Sequence, residues 1–507
     1  MYVGALGNVV ELRARIQQEK AILMPQFLLS RQSILALAVS QALLFSSVQA
    51  FAADEDQVSA KDGEEVSVSD RKVETTSDGV YGMHAASKGK IHASGMDVVT
   101  AGKGAHGVFA TGYLTELNSM GELSIQTSGE GASGLQVADY ATANIERMTV
   151  LTTGNNAAGI RIATNGTARV NGGAITTEGD LSHGVSVDFR GVFDGANLAI
   201  KTEGFRSYGV MGQRQNKVGV SGSSILTAGD ESSGVVAGNA SSIRVTGNSS
   251  ITTLGKEAHG VFASGTGALV FVADSTVETF GEGAAGVKVE NDGRVELENA
   301  HIKAHGAGAV GAQLNGGSLS VKGGSIQSVD AAALSISGRD NTVDIDGAYI
   351  GSTNGPAIKV ESGAQANITV SNGSTLSAGN GQGELLDVQS DSVLDLVVDG
   401  SYLHGNLTIP EGGLVNVRLQ NGTRFTGQMS DVENLQLDAG VGWDIMGDSN
   451  VESLVLNGGS IDFAKAEGFH TLSMGELSGN GSFGLKLDMN NQQVDFLNIE
   501  GQATGNH

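Results

Sequence analysis

The chain has 507 residues, 75 of them glycine, with 3 prolines, no cysteine and a mean hydropathy of −0.02. Glycine at about twice its usual share with almost no proline excludes collagen and ordinary helical proteins, and 40% hydrophobic residues exclude wholesale disorder. The balance of 30 basic and 55 acidic residues, a net charge of −25, disfavours nucleic acid and anionic membranes as partners. Without cysteine there is no disulfide, thiolate nucleophile or cysteine metal site.

The first element is an address. Met24-Pro25-Gln26-Phe27-Leu28-Leu29-Ser30-Arg31 leads into an apolar stretch from Ile34 to Phe45 and ends in Ala50-Phe51-Ala52 before an acidic segment. One basic residue, an apolar run too short to span a bilayer and an Ala-x-Ala site read as a secretory signal peptide over 1–52, cleaved between Ala52 and Ala53. Residues 1–23 either extend that signal region or precede the true start. Cleavage would remove Arg13, Arg15, Lys20 and Arg31 with Glu11 and Glu19, leaving the mature chain at −27. Residues 53–78 read as a polar N-terminal leader or cap, and no later stretch is apolar enough for a transmembrane helix.

Residues 79–380 repeat. A small residue opening a short apolar run recurs at Gly82, Gly107, Gly134, Gly159, Gly184, Gly209, Gly234, Gly260, Gly286 and Gly311, spaced by 25, 27, 25, 25, 25, 25, 26, 26 and 25 residues. A second landmark, Thr-x-Gly, falls in phase at Thr100, Thr127, Thr152, Thr177, Thr202, Thr227, Thr253 and Thr279, then decays to Ala304, Ser328, Ser352 and Ser377. Leucine-rich repeats share the length but need a leucine ladder with a recurring Asn, and helical repeats are longer and avoid this much glycine. Within each unit the alternation has period two: Ile160 and Ile162 flank Arg161, Val185 and Val187 flank Ser186, and Val287 and Val289 flank Lys288. Three short strands per 25 residues, with Gly, Asn, Asp and Ser at corners, predict an all-β fold. That fold is a right-handed, single-stranded parallel β-helix, a solenoid of about 12–15 coils. Val185, Val210, Val235 and Val261 then form one internal column, and Ile175, Ile200, Ile225 and Ile251 another. Positive φ at the corners is the expected reason for the glycine.

Residues 381–440 continue as less regular coils, expected to be wider. Residues 441–507, with the only tryptophan, Trp443, read as a C-terminal cap that keeps the last coil from offering an open edge.

Here a resemblance becomes specific. The signal peptide, the glycine-rich β-helix, the segment Leu477-Ser478-Gly479-Asn480-Gly481-Ser482-Phe483 and the closing run Asp495-x-Leu497-x-Ile499-x-Gly501-x-Ala503-x-Gly505-Asn506-His507 resemble a pertactin-family autotransporter passenger. The resemblance implies a surface-exposed adhesion module carried through an outer-membrane translocator barrel. It also implies a C-terminal folding segment, the autochaperone, with Asp495, Leu497, Ile499, Gly501, Ala503 and Gly505 as its motif. The chain stops at His507 with no barrel strands after it, so a fragment, an interrupted gene or a separate translocator is expected. Arg-Gly-Asp is absent; Gly338-Arg339-Asp340 has another order.

Chemistry is sparse. Carboxylates Asp344, Asp346, Asp395 and Asp399 are the nearest to a polysaccharide-cleaving face, but no arginine shares their phase. Gly447-Asp448-Ser449-Asn450 and Gly229-Asp230-Glu231-Ser232 resemble nucleophile loops weakly, without the flanking glycines. His106, His183 and His259 precede the landmark glycine three coils apart, about 14 Å, too far to share a metal; they read as a tolerant corner. His301 and His305 are a weak metal pair. Phe109, Met211 and Phe262 take outward slots as contact residues, unless loops cover them. No catalytic, cofactor or metal residue is assigned, and no cofactor or nucleic-acid partner is expected. The expected function is that of a secreted, surface-displayed, non-enzymatic passenger at the bacterial outer membrane, or in the periplasm if truncated. It would adhere to a host-cell or matrix ligand, or to like passengers on neighbouring cells. The alternatives are a polysaccharide-active β-helix enzyme and an inert truncated passenger.

Overall fold

The computed structural model describes residues 56–379, 383–410 and 412–507; the expected cleavage residues Ala52 and Ala53 lie outside them. Every described strand except one small hairpin belongs to a single 45-stranded sheet whose neighbours pair in parallel. The chain winds as a parallel β-solenoid of about 18 turns. Each turn presents three faces. Val185–Asp188 lies on the first, and Val192–Thr202 bends across the second and third. The expected columns are in register: Val185 opposes Val210, then Val235, then Val261, and Ile175 opposes Ile200, Ile225 and Ile251. These side chains are buried, so the hydrophobic effect and the inter-coil ladders act on the same residues.

Both sequence landmarks have a steric cause different from the one expected. The glycines that open the first face do not have positive φ. A Cβ at Gly134 would lie inside the radius of Val150 Cγ1 and 2.7 Å from Gly159 O, so the corner closes only with hydrogen there. In Thr-x-Gly, the threonine is buried at the end of the third face, and its hydroxyl donates to the carbonyl five residues on. Thr100 reaches Ala105 O at 2.6 Å, and Thr152 reaches Ala157 O at 2.8 Å. The glycine that follows rests on the glycine carbonyl one coil earlier, as Gly129 does on Gly102. The left-handed corner positions are shared with non-glycine residues such as Tyr140 (φ 68) and Arg190 (φ 61).

The turn count exceeds the expected 12–15 because the flanks wind too. Val58–Ala60 pairs with Met83–Ala85, and Glu65–Ser69 with Lys90–Ser94, so the polar stretch before residue 79 is itself a coil. The coils after residue 381 are narrower, not wider. Leu396 opposes Val417 and Val417 opposes Leu435, steps of 21 and 18 residues. The Thr-clipped corner between third and first faces shrinks there: Val277 to Val287 is a step of ten residues, but the equivalent Leu403 to Leu407 is a step of four. Larger side chains fill the core instead. Trp443 is fully buried, lies 5.8 Å from the Phe425 ring and donates from Nε1 to Gly427 O at 3.0 Å.

Candidate functional sites at the C-terminal coil and on the outer faces

The closing motif residues fall in one coil. Phe496–Ile499 and Ala503–Asn506 pair with Thr471–Gly484. Before them Leu487–Asp488 and Gln493–Val494 form the one antiparallel hairpin among the described residues, which the sequence pattern did not signal. Asp495, 2% exposed, sits at the base of that hairpin. Its carboxylate accepts the backbone N–H of His470 (2.9 Å) and of Lys486 (2.7 Å), with the Lys486 ammonium 4.0 Å away. One buried carboxylate thus ties the hairpin to the corner before the preceding strand. Leu497 and Ile499 pack inward against the core. Gly501 N donates to Gly475 O at 2.8 Å, and Gly505 (φ 115) stacks on Gly479 (φ 92), a left-handed pair that a side chain would strain. Ala503 opposes Leu477 and is exposed. The hairpin and its flank leave apolar surface open, with Leu487 64%, Met489 77% and Phe496 57% exposed.

The three corner histidines have a role that spacing did not reveal. Nδ1 of His106 accepts the N–H of Ser133 (3.0 Å), that of His183 accepts Tyr208 N–H (3.1 Å), and that of His259 accepts Ala285 N–H (3.0 Å). Each ring therefore satisfies a backbone donor of the next coil and is the Nε2–H tautomer when neutral. Burial, with a smaller contribution from Arg161, holds His106 and His183 down to about 4. Burial, helped by Lys288, holds His259 at about 3. Ser233, at the same position before Gly234, fills the same need, accepting the N–H of His259 on its Oγ at 3.2 Å. The signal available in the sequence was a histidine alternating with serine one residue before a landmark glycine.

Phe109, Met211 and Phe262 are half-buried, and no loop covers them. They are shielded by their own column. Phe109 stacks on His84 (5.5 Å, 4°) with Tyr81 and His106 edge-on, and Phe262 lies under the Lys288 ammonium at 5.3 Å.

The enzyme candidates do not converge. Asp344 and Asp346 stand two coils before Asp395 and Asp399; Asp395 aligns through Asn367 with Thr342, while Asp346 and Asp399 share a column with Ser371 between them, two coils or about 10 Å apart. Asp346 accepts from Asn372 (2.6 Å), Asp395 from Asn416 (2.7 Å), and Asp399 from Gln420 (3.0 Å) and Asn421 (2.8 Å). Ser232 is fully buried, donating to Gly204 O at 2.9 Å; Ser449 is 5% exposed and accepts Met429 N–H at 3.2 Å. Both are corner clips. His305 stacks flat on Phe280 at 4.5 Å, while His301 meets Ser325 Oγ at 3.1 Å, so the pair diverges. Among the described residues no three His, Asp or Glu side chains are grouped to hold a metal, and no helix is long and apolar enough to cross a membrane.

The fold and these stacked corners define a parallel β-solenoid of the kind used for display and binding. A chain in the cryo-EM structure of the Vag8–C1 inhibitor complex superposes with a TM-score of 0.54 over 88% of this chain and 100% of that chain, at 14% identity. That likeness concerns the fold alone. Residues 451–507 match the Pertactin family model. The BrkA autotransporter of Bordetella pertussis is 28% identical over 229 residues, 42% of this chain and 21% of BrkA. The autotransporter adhesin/invasin TibA of Escherichia coli O78:H11 is 30% identical over 123 residues, 22% of this chain and 12% of TibA. An immunoglobulin A1 protease autotransporter of Haemophilus influenzae is 32% identical over 162 residues, 28% of this chain and 9% of that protein. The chain thus resembles a pertactin-family autotransporter passenger domain, and its match spans about a fifth of BrkA.

Proposed function

We propose that the chain is a secreted passenger displayed at the bacterial cell surface, delivered by an outer-membrane translocator barrel, and that it acts without catalysis in adhesion or self-association. The observation that carries this reading is the fate of the chemically able side chains. The corner serines and histidines are consumed in inter-coil hydrogen bonds, and the outward carboxylates are dispersed, so recognition is left to the outer faces. TibA, named an adhesin/invasin, supports the same direction. The kinship with an immunoglobulin A1 protease covers 9% of that enzyme, and the contact between Ser325 and His301 at 3.1 Å has no carboxylate paired with His301 among the described residues to complete a triad. Under this reading 451–507 is the folding segment, with Asp495, Leu497, Ile499, Gly501, Ala503 and Gly505 closing its last coil and Ala52–Ala53 as the processing point. The test is attachment of the purified chain, from residue 53, to epithelial cells and matrix proteins, with light scattering for self-association. Turnover of an acidic polysaccharide that is lost on Asp346→Ala, with neither attachment nor self-association, would overturn it.

A further inference from the structure

The second face carries a built groove near its N-terminal end. Its floor is a column of outward polar side chains in register over five coils: His92, Asn118, Asn144, Arg169 and Asp194. A cavity of about 590 Å³ lies over them, bounded along one edge by Met120. This volume falls within the range typical of ligand sites.

The walls trace to an irregularity in the repeat. The coil opened by Gly107 has 27 residues, and the register places one extra residue at each edge of this face. Val108 to Glu116 takes one residue more than Leu135 to Thr142, and Ser119 to Glu122 one more than Ile145 to Arg147. One insertion, outside the groove's lining, raises Tyr113, 66% exposed, whose ring meets the exposed Tyr140 ring of the next coil edge-on at 6.4 Å. The other raises Met120, 67% exposed, and its turn is pinned by Glu146, which accepts Gly121 N–H at 3.1 Å.

The floor is only partly self-satisfied. Asn144 donates to Asn118 at 2.9 Å, and Arg169 reaches Asn144 Oδ1 at 3.4 Å. The Asp194 carboxylate has no hydrogen-bond partner among the described residues, and the other guanidinium donors of Arg169 are open. Amide, guanidinium and carboxylate groups therefore present both donors and acceptors, repeating at about 4.8 Å. Arg169 stands among two carboxylates, Asp194 and Glu146, so the lining disfavours an anionic ligand. The backbone beneath is already paired on both sides, so a peptide cannot add to it as a strand.

We propose that this groove binds an extended, uncharged oligosaccharide lying along the solenoid axis, one sugar ring over each step of the floor, with Met120 offering an apolar contact at its edge. The proposal deepens the adhesion reading and rests on it for its biological use. The inter-coil repeat is comparable with the advance of one ring in an extended glycan, and alternating donors and acceptors suit vicinal hydroxyls.

The test is calorimetric titration of the full chain with β-linked glucose and N-acetylglucosamine oligomers of one to six rings. Affinity is expected to climb with each ring up to about four, the steps between five floor residues, and then level off. The double variant Asn144→Ala/Arg169→Ala is expected to weaken binding of the longest oligomer about tenfold, the loss of one to two net hydrogen bonds. Met120→Ala, at a side chain 67% exposed on the groove's edge, is expected to weaken it too, and keeps the question decidable if the double variant misfolds. No binding by either series, affinity independent of length, or variants that bind like the parent would overturn the proposal. Cell attachment without any oligosaccharide binding removes the groove and leaves the adhesion reading. Oligosaccharide binding without attachment does the reverse.

Discussion

Acidification should loosen this solenoid at three defined corners. His106, His183 and His259 each accept a backbone N–H through Nδ1, and burial lowers their folded values to about 4, 4 and 3. In the unfolded chain they titrate near 6.5, so between those values the unfolded state holds the extra proton. Their stabilisation is therefore complete above about pH 6.5 and falls away as pH drops toward the folded values. At pH 5 each site has lost about 2 kcal/mol, about 6 kcal/mol for the three. His84 and His305, also lowered chiefly by burial, act in the same sense. Ordinary carboxylates titrate below this window. Because coils in a solenoid open semi-independently, a global midpoint would blur the effect. The suitable assay is amide hydrogen exchange resolved by peptide, corrected for intrinsic rate, at pH 7.5 and 5. Peptides around Ser133, Tyr208 and Ala285 are expected to lose protection relative to those around Leu198 and Ala348, whose N–H groups are accepted by serine instead. The triple variant His106→Asn/His183→Asn/His259→Asn keeps a δ-position acceptor that does not titrate. It is expected to abolish the difference. If it loosens at pH 5 as the parent does, the reasoning fails.

Ser207→Ala removes the acceptor for Ser182 N–H and the donor to Gly179 O inside the corner, and is expected to cost about 1–3 kcal/mol, read as a lower urea midpoint. Gly134→Ala forces a methyl against Val150 and the Gly159 carbonyl and should cost about 1–3 kcal/mol or abolish the fold. Gly131→Ala, with φ 70 and open space around it, should cost about 1 kcal/mol; paired thermal melts separate the two. Asp495→Asn leaves one of two buried backbone donors poorly met. It is expected to raise exchange in 471–506 by about tenfold or more and to slow refolding, followed by the fluorescence of Trp443, the single tryptophan.

The buried architecture was readable because its period is short and its inward positions are few. Val185 to Val261 and Ile175 to Ile251 align as their spacing implies, since a one-residue slip would turn each strand inside out. The landmarks were visible, but their cause was not. Gly134 and Gly129 face atoms one coil away, and nothing in a linear string marks that approach. Coil number was undercounted because the flanks lose the Thr-x-Gly spelling while keeping the ladders, as Val58–Ala60 and Leu396–Val417–Leu435 do; Thr75 still clips Val80 O at 2.9 Å, but Ser77 stands where the glycine would. At the C-terminal coil the motif residues were identifiable, but the hairpin before Asp495 was not, because its first arm, Leu485 to Met489, alternates like the strands around it. The histidine acceptors were missed because Nδ1 and serine Oγ are interchangeable only once the donor is placed.

The 25-residue step between partners such as Val185 and Val210 has an evolutionary corollary. Excising 184–208 would join His183 to Gly209 and seat Val210 on Ile160, each strand finding a partner of the kind it had. A gene of this type can gain or shed whole units by unequal recombination without redesigning an interior. The distance at which its outermost residues stand from their attachment is thus adjustable in increments of about 5 Å.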